Sequence, residues 1–327
     1  MSAAQVPWGI LSTARINEKV LAGARRSDRV KVVAVASRDR GRAEAYARRH
    51  GIERAHGSYE ALLEDPDVEA VYISLPNSLH VEWSIEALEA GKHVLCEKPL
   101  SRRPEEVERA FDAARRAGRL LSEGFMYRHH PQTARLKELV DEGAIGKLRL
   151  IRAAFSFDVL RERDERDIRL RADLDGGSLM DVGCYCVSAS RLLAGEPRRV
   201  YGEQVVGPSG VDVRFSGTMR FAGAVLSQFD SALELPARDE LEAIGSEGSL
   251  FLDDPWHCRS PAIELRRDGR RPIVIEPLDP YTLELENVSA AIRGEAPLLL
   301  GREDALGQAR AIAALSHSAE TGTAVSL

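Results

Sequence analysis

The apolar and polar positions of this chain follow two different patterns. In the first part, short apolar segments such as residues 30–36 alternate with stretches of helical spacing. In the second part, strands with alternating apolar and polar residues follow one another without helices between them. The first pattern is typical of βαβ units with a parallel sheet, and the second of an antiparallel sheet. We therefore predict an α/β fold: a doubly wound domain over residues 1–125, then an α+β domain over residues 126–327 with a large open, mainly antiparallel sheet.

The same pattern bounds the individual elements. In the first part, the predicted strands are 6–11, 30–36, 69–75, 93–96 and 120–124, and the predicted helices are 17–26, one ending at residue 50, 58–63, 78–90 and 104–117. In the second part, the predicted strands are 147–157, 200–206, 213–221, 224–231, 239–245, 249–252, 262–266 and 273–276. The predicted helices there are 132–142, 179–193, 282–293 and 302–319.

Composition narrows the class of protein. Of the 327 residues, 44% are hydrophobic and 29% charged, which is ordinary for a soluble globular protein. The net charge of −6 argues against a nucleic-acid partner, and no uncharged apolar run approaches the roughly 18 residues of a membrane span. Four cysteines are too few for a disulfide framework in so long a chain, which predicts a reducing, cytoplasmic location.

Two pairs of metal-ligating residue types occur close together in the sequence. Cys184 and Cys186 have the wrong spacing for a zinc ribbon and no second pair elsewhere. His129 and His130 are neighbours, so their side chains point apart, and no third ligand is evident. We therefore predict no metal site.

The carboxyl edge of the predicted parallel sheet is the expected ligand site, because loops from successive strands meet there. The first of these loops is Ser12-Thr13-Ala14-Arg15-Ile16. Small Ser12 and Ala14 stand where a glycine fingerprint has glycines, and they still permit close approach of a pyrophosphate to the helix N-terminus. The same residues also suit an ordinary strand–helix turn.

The second loop, Ser37-Arg38, indicates which dinucleotide would bind. NAD sites usually carry an acidic residue at this strand end, about 20 residues after the first turn. A hydroxyl and a guanidinium instead suit a 2′-phosphate, so we predict NADP, with NAD also possible. An exposed arginine that merely begins a helix is the alternative.

The third loop contains Leu75, Pro76, Asn77 and His80. Asn77 suits a helix cap as well as a ribose contact, and His80, in the first helical turn, suits a structural role as well as a cofactor contact. Because all the loops converge on one sheet edge, we include these residues in the predicted cofactor site.

The fourth loop, Glu97-Lys98-Pro99, places a lysine at the end of an apolar strand. Pro99 keeps the residue before it out of the helical region, so Lys98 is expected to lie extended at the sheet edge. In the second part of the chain, Gly176-Gly177-Ser178 opens a helix on which Asp181 and Tyr185 are four residues apart, and therefore on one side.

These motifs together resemble the Gfo/Idh/MocA family of NAD(P)-dependent oxidoreductases over nearly the whole chain. The resemblance rests on residues 9–16 (GILSTARI), on Leu75-Pro76-Asn77 with His80, on Glu97-Lys98-Pro99, and on residues 176–185 (GGSLMDVGCY). Residues 8–14 with Ser37-Arg38 are most similar to the NADP-preferring branch of D-xylose 1-dehydrogenase and dihydrodiol dehydrogenase. The resemblance implies an NADP-binding Rossmann domain followed by a substrate-binding and oligomerisation domain.

The resemblance also implies roles for particular residues. Lys98 would touch both the nicotinamide ribose and the substrate, Arg128 would lie near the nicotinamide, and Asp181 and Tyr185 would complete the catalytic group. Tyr185 stands where cyclitol dehydrogenases have histidine, which makes an inositol substrate less expected. A sugar or polyol is the expected substrate, and the open sheet is expected to bury its face in a homodimer or homotetramer.

These residues suggest one mechanism and leave alternatives open. A free tyrosine titrates near 10, and a neighbouring Lys98 ammonium would lower that value and let Tyr185 act as the acid/base, with Asp181 orienting the substrate or partly neutralising the lysine. Tyr185 would otherwise only pack, and Asp181 would only favour the helix start. A trans-dihydrodiol dehydrogenase and a non-catalytic NADP-binding regulator are the other functions considered. The arginine-rich residues 161–171 and the 6% aromatic content favour polar, sugar-like substrates.

Overall fold

The fold is described from a computed structural model that covers residues 5–162 and 167–327. Residues 163–166, part of the arginine-rich segment 161–171, lie outside the described residues. None of the helices in the described part of the chain has the length and apolar content needed to cross a membrane.

The elements follow the order expected from the hydrophobic pattern. The strands are β1 Val6–Leu11, β2 Val30–Ala36, β3 Arg54–His56, β4 Ala70–Ile73, β5 His93–Glu97, β6 Leu121–Gly124, β7 Leu148–Asp158, β8 Arg199–Val206, β9 Asp212–Arg220, β10 Leu226–Ala232, β11 Glu234–Gly245, β12 Ser249–Leu252, β13 Ala262–Arg266, β14 Arg270–Val274 and β15 Val325–Ser326. The helices are α1 Asn17–Ala24, α2 Arg40–His50, α3 Tyr59–Leu63, α4 His80–Glu89, α5 Pro104–Ala117, α6 Pro131–Asp141, α7 Val159–Glu162, α8 Cys184–Ala194, α9 Pro280–Ile292 and α10 Arg302–Thr321. A π-helical turn, Leu179–Gly183, leads into α8.

A parallel sheet forms the centre of the first unit. Its strand order in the described residues is β3-β2-β1-β4-β5-β6, and every neighbouring pair is parallel. β1 and β4 are almost fully buried, as expected for strands covered by helices on both faces. The doubly wound architecture predicted from the sequence is confirmed.

The first unit includes a segment from late in the chain. It runs to His129 and takes in Asp279–Leu306 as well, whereas the sequence pattern suggested two contiguous parts, 1–125 and 126–327. The reason lies in α9, which packs on α1. There, Trp8 Nε1 donates to Ser289 Oγ at 3.2 Å and both side chains are buried, while Arg293 pairs with Glu69 at 2.6 Å. These partners are more than 200 residues apart, so periodicity cannot reveal them.

A mixed sheet dominates the second unit. Its strand order is β14-β13-β12-β11-β7-β10-β9-β8-β15 in the described residues, and all neighbours are antiparallel except β7 and β10. The prediction of a large, mainly antiparallel sheet is confirmed. β3 and β15 were not predicted from the sequence, because three and two residues are too short to show alternation.

Candidate active site

The turn after β1 is shaped by Ser12 in place of a glycine. Ser12 has a φ of 121°, in the region that normally requires glycine. Its hydroxyl lies 2.9 Å from Ser74 Oγ and accepts the Ala14 N–H at 3.1 Å, while the buried Asn17 donates to its carbonyl oxygen at 2.9 Å. The unfavourable backbone conformation is therefore held by hydrogen bonds to β4's end and to α1.

This turn suits a dinucleotide phosphate. The Ser12 N–H donates to the Ala36 carbonyl oxygen at 3.1 Å and the Ala14 N–H to Ser12 Oγ, but the N–H groups of Thr13, Arg15 and Ile16 donate no hydrogen bond to any described residue. α1 follows directly, and no side chain of the described residues caps its first turn. Free amides at a helix N-terminus favour an anionic group. The residues present therefore fit the pyrophosphate of a dinucleotide.

The loop after β2 presents Arg38 at the surface. Asp39 follows it, and its carboxylate accepts the Arg42 N–H at 2.9 Å, capping α2. The Arg38 side chain lies near the Tyr59 phenol and interacts with it electrostatically. Burial raises the pKa of the Tyr59 phenol, against the opposing effect of the Arg38 charge. Asp39 is thus engaged by its own helix, while Ser37 Oγ accepts the Asp39 N–H at 3.2 Å.

The loop containing Lys98 is held from several sides. Tyr72 donates to Glu97 Oε1, and Leu100 N–H donates to the buried Glu123 at 2.8 Å. The buried His80 places Nδ1 2.9 Å from the Pro99 carbonyl oxygen and Nε2 2.8 Å from the Leu75 carbonyl oxygen. Through these contacts the loops after β4 and β5 are fixed to each other, with Lys98 half-buried between Glu97 and Pro99.

The remaining predicted cofactor residues of the first unit lie as follows. Asn77 begins a short 3₁₀ turn, Asn77–Leu79, for which Pro76 is the residue before the first turn. Leu75 is buried, and Arg128, with a side chain 10% exposed, forms an ion pair with Asp304 at 3.2 Å. Contact of any of these residues with a cofactor stays a prediction.

The Gly176-Gly177 turn of the second unit packs tightly around two acceptors. A Cβ on Gly176 would lie 2.4 Å from the Arg169 carbonyl oxygen, and one on Gly177 would lie 2.1 Å from Asp212 Oδ1. Asp212 accepts Ser178 Oγ and the Leu179 N–H, both at 2.7 Å. The glycines therefore allow Asp212 to cap the helical segment that carries Asp181 and Tyr185.

Asp181 and Tyr185 lie on either side of a change in helix type. Asp181 belongs to the π-helical turn, a feature often associated with functional sites, and Tyr185 to the first turn of α8. The Asp181 carboxylate accepts a hydrogen bond from Arg169 Nε at 2.7 Å. In the sequence, residues 161–171 stand out only for their charge content, and nothing distinguishes this arginine from its neighbours.

Tyr185 is buried in a cluster of aromatic rings. The centroid of its ring lies 5.3 Å from that of Phe155, in an edge-on arrangement, and 5.9 Å from that of Trp256. The ring centroids of Phe155 and His257 are 5.5 Å apart. Trp256 Nε1 donates to the Ala154 carbonyl oxygen at 3.1 Å, which fixes the indole. None of Phe155, Trp256 and His257 was predicted, because they are distant in sequence and no motif connects them.

A cluster of Asp239, Asp254 and His257 has the residue types of a metal site. His257 Nδ1 lies 2.6 Å from Asp239 Oδ2, but Arg259 contributes its own positive charge there, with Nη2 3.1 Å from Asp254 Oδ1 and 3.6 Å from Asp239 Oδ2. This guanidinium already balances the carboxylates, so the cluster carries no argument for a metal ion.

The adjacent histidines of the sequence have separate surroundings. Burial lowers the pKa of His129 to about 3, so it is neutral at ordinary pH. His130 caps α6, accepting the Gln132 N–H at Nδ1 at 3.1 Å.

Comparison with known proteins identifies the class and then the family. The model of the oxidoreductase family with an NAD-binding Rossmann fold matches residues 7–125, and the Gfo/Idh/MocA C-terminal domain model matches residues 133–251. The fold thus belongs to a dinucleotide-dependent oxidoreductase. The chain is a member of the Gfo/Idh/MocA family.

Individual relatives cover almost the whole chain. A D-xylose 1-dehydrogenase (NADP(+)) from Haloferax volcanii is 40% identical over 328 residues, 98% of this chain and 99% of the relative. A trans-1,2-dihydrobenzene-1,2-diol dehydrogenase from Danio rerio is 32% identical over 255 residues, 77% of this chain and 75% of the relative. The crystal structure of a 3-ketoreductase from Actinomadura kijaniata with NADP and TDP-benzene has a TM-score of 0.88 and 33% identity, covering 96% of this chain and 98% of that one.

Asp212 makes the stability of the second unit depend on pH. Burial raises the pKa of its carboxyl group from 3.8 to about 6, more than its hydrogen bonds lower it. The folded state therefore binds the proton more tightly than the unfolded state, and stability falls as pH rises from about 4 to about 6. We expect Asp212→Asn to remove roughly 2–3 kcal/mol of this fall, measured as the free energy of unfolding in urea from pH 4 to 7.

The matched control is Asp268→Asn, which changes an exposed aspartate in the turn between β13 and β14. This variant should keep the pH dependence of the original protein. An unaltered pH dependence in Asp212→Asn would show that the Asp212 carboxyl group is not the titrating group.

Proposed function

We propose that the protein is an NADP(H)-dependent oxidoreductase that oxidises an alcohol carbon of a sugar or polyol, or reduces the corresponding ketone. The observation that carries the cofactor part is the set of N–H groups of Thr13, Arg15 and Ile16, which have no acceptor among the described residues, together with Arg38 at the next strand end. Relatives named for sugar-related oxidations and reductions support the substrate class. Bound NADP would supply hydride transfer at its nicotinamide ring.

We assign proton transfer to and from the substrate to Tyr185, assisted by Lys98 and Asp181. A tyrosine becomes a usable acid/base when a nearby cation favours the phenolate, and Lys98 supplies a cation in the Glu-Lys-Pro motif. Asp181 would accept a hydrogen bond from a substrate hydroxyl. Support for the tyrosine comes from its fixed position: two aromatic neighbours hold its ring, and the capped helical segment holds its backbone.

The preference for NADP over NAD is assigned to Arg38. We expect Arg38→Ala to raise the KM for NADP about 10- to 100-fold while changing the KM for NAD little, because a charge-assisted bond to the 2′-phosphate is lost. Steady-state kinetics with both cofactors measure this. Arg40→Ala is the matched control, since Arg40 is also exposed at the start of α2 and pairs only with Glu44 in the described residues. Equal losses with NADP and NAD would contradict this assignment.

The acid/base role of Tyr185 has its own test. We expect Tyr185→Phe to lower kcat about 10²- to 10⁴-fold, because the hydroxyl proton is lost while the ring contacts with Phe155 and Trp256 remain. Binding of NADPH, followed by its fluorescence, should not change. Turnover equal to that of the original protein would remove Tyr185 from this role.

Two other functions are separated by one substrate screen. Absorbance of NADPH is followed with aldoses, keto-sugars, cyclitols and trans-dihydrodiols. Turnover with dihydrodiols alone would indicate a dihydrodiol dehydrogenase, to which the aromatic cluster around Tyr185 would give an apolar wall. Tight NADPH binding without turnover of any of these compounds would indicate a regulator on the same fold.

We also propose that two copies associate through the outer face of the second unit's sheet. This face carries Arg152, Arg238, Glu203 and Glu240 around a shallow cavity of about 550 Å³. Mixed charges of this kind complement a second copy of the same face. Light scattering coupled to gel filtration would give a dimeric or tetrameric mass. The four cysteines are buried and form no disulfide among the described residues, which supports the proposal of a reducing, cytoplasmic location.

A further inference from the structure

We propose that Arg169 is a positioning residue for the reaction, acting through Asp181. This inference rests on the proposed function, in which Asp181 contacts the substrate. Arg169 Nε donates to Asp181 Oδ2 at 2.7 Å, and its Nη1 donates to Asp167 at 3.0 and 3.3 Å. The guanidinium thus bridges two carboxylates, and one of them is a predicted catalytic group.

The bridge is built into the local fold. Asp167 is the residue before a 3₁₀ turn, Ile168–Leu170, and it accepts the Arg169 N–H at 3.0 Å. The same carboxylate therefore binds both the backbone and the side chain of Arg169. The guanidinium also lies 5.8 Å from the centre of the Phe157 ring. Even without its hydrogen bond to Asp181, the Arg169 side chain is therefore restricted to few conformations.

Arg169 also holds the chain just before Asp181 through its backbone. Its carbonyl oxygen accepts the Gly177 N–H at 2.8 Å, and the Gly177 carbonyl oxygen accepts the Asp181 N–H at 2.9 Å. Gly176 leaves no room for a Cβ, which would lie 2.4 Å from the Arg169 carbonyl oxygen. Arg169 therefore holds both the Gly176-Gly177 turn before the helical segment and the carboxylate of Asp181 within it.

The charges of the group fit a positioning role. The negative charge of Asp181 is the largest of the causes that raise the pKa of Arg169, so the guanidinium stays charged. A permanent cation at hydrogen-bond distance favours the charged carboxylate of Asp181 over the neutral acid. Asp181 is thereby kept as a hydrogen-bond acceptor with one oxygen bound to the arginine. Arg169 itself needs no contact with the substrate.

The test is a double-mutant cycle with Asp181→Asn and Arg169→Met. If Arg169 acts through Asp181, Arg169→Met should lower kcat at least about tenfold, with NADPH binding unchanged. In the Asp181→Asn background, the same substitution should then cause little further loss. Arg169→Lys should recover part of the activity, and added guanidinium should do so in Arg169→Ala.

Arg171→Met is the matched control. Arg171 lies two residues away, is half-exposed and pairs with Asp173, so its loss should leave kcat unchanged. The proposal would be overturned if the losses of kcat multiplied in the double variant, or if Arg169→Met were as active as Arg171→Met. Either result would leave the proposed function intact. If Arg169→Met fails to fold, Asp167→Asn tests the same bridge from its other end, with a loss of kcat expected and unchanged kcat against the proposal.

Two results would bear on the proposed function as well. Normal turnover of Asp181→Asn would remove Asp181 from the reaction, and Arg169 with it. An original protein that binds NADPH but turns over no sugar, polyol or dihydrodiol would overturn both the proposed function and the positioning role, since no reaction would be left to serve.

Discussion

The loop that follows the fifth strand of the parallel sheet is held by buried side chains from three other parts of the first unit. Glu123 binds the Leu100 N–H, Tyr72 donates to Glu97, and His80 contacts the Pro99 carbonyl oxygen. Such buried polar groups are costly unless paired, and here the pairing fixes the backbone on both sides of Lys98. The backbone of Lys98 therefore has a defined position at the sheet edge. The fixed loop limits the positions that the flexible lysine side chain can reach.

The same loop is electrostatically constrained by a second acid. Burial, and then the negative charge of Glu97, raise the pKa of the buried Glu284 well above its ordinary value, so its neutral form is favoured. Glu284 lies on α9, the late segment that completes the first unit. A neutral acid there avoids a second buried negative charge beside Glu97. The return of α9 to the first unit thus affects the loop of Lys98 as well as the sheet that it covers.

Sequence alone was sufficient for the architecture and for the residue types at the strand ends, because both depend on local order. Alternation of apolar and polar positions placed β12 and β13 at their observed bounds, and the order of strands and helices gave the parallel sheet. The partners of the motif residues were not predictable in this way. Asp212 lies 34 residues from Ser178, from which it accepts a hydrogen bond, and Trp256 lies 71 residues from Tyr185, so only the folded sheet brings such side chains together.

The Gly-Gly-Ser motif illustrates how a recognisable pattern depends on residues that carry none. Its two glycines are required because the Arg169 carbonyl oxygen and the Asp212 carboxylate occupy the space that two Cβ atoms would need. Those acceptors are themselves needed, since together they bind the N–H groups of Gly177 and Leu179 at the start of the helical segment. The two glycines are thus recognisable in the sequence, whereas no sequence motif connects them to the arginine and the aspartate on which they depend. A motif of this kind identifies where a helical segment begins, while the side chains that fix its direction must be found in the structure.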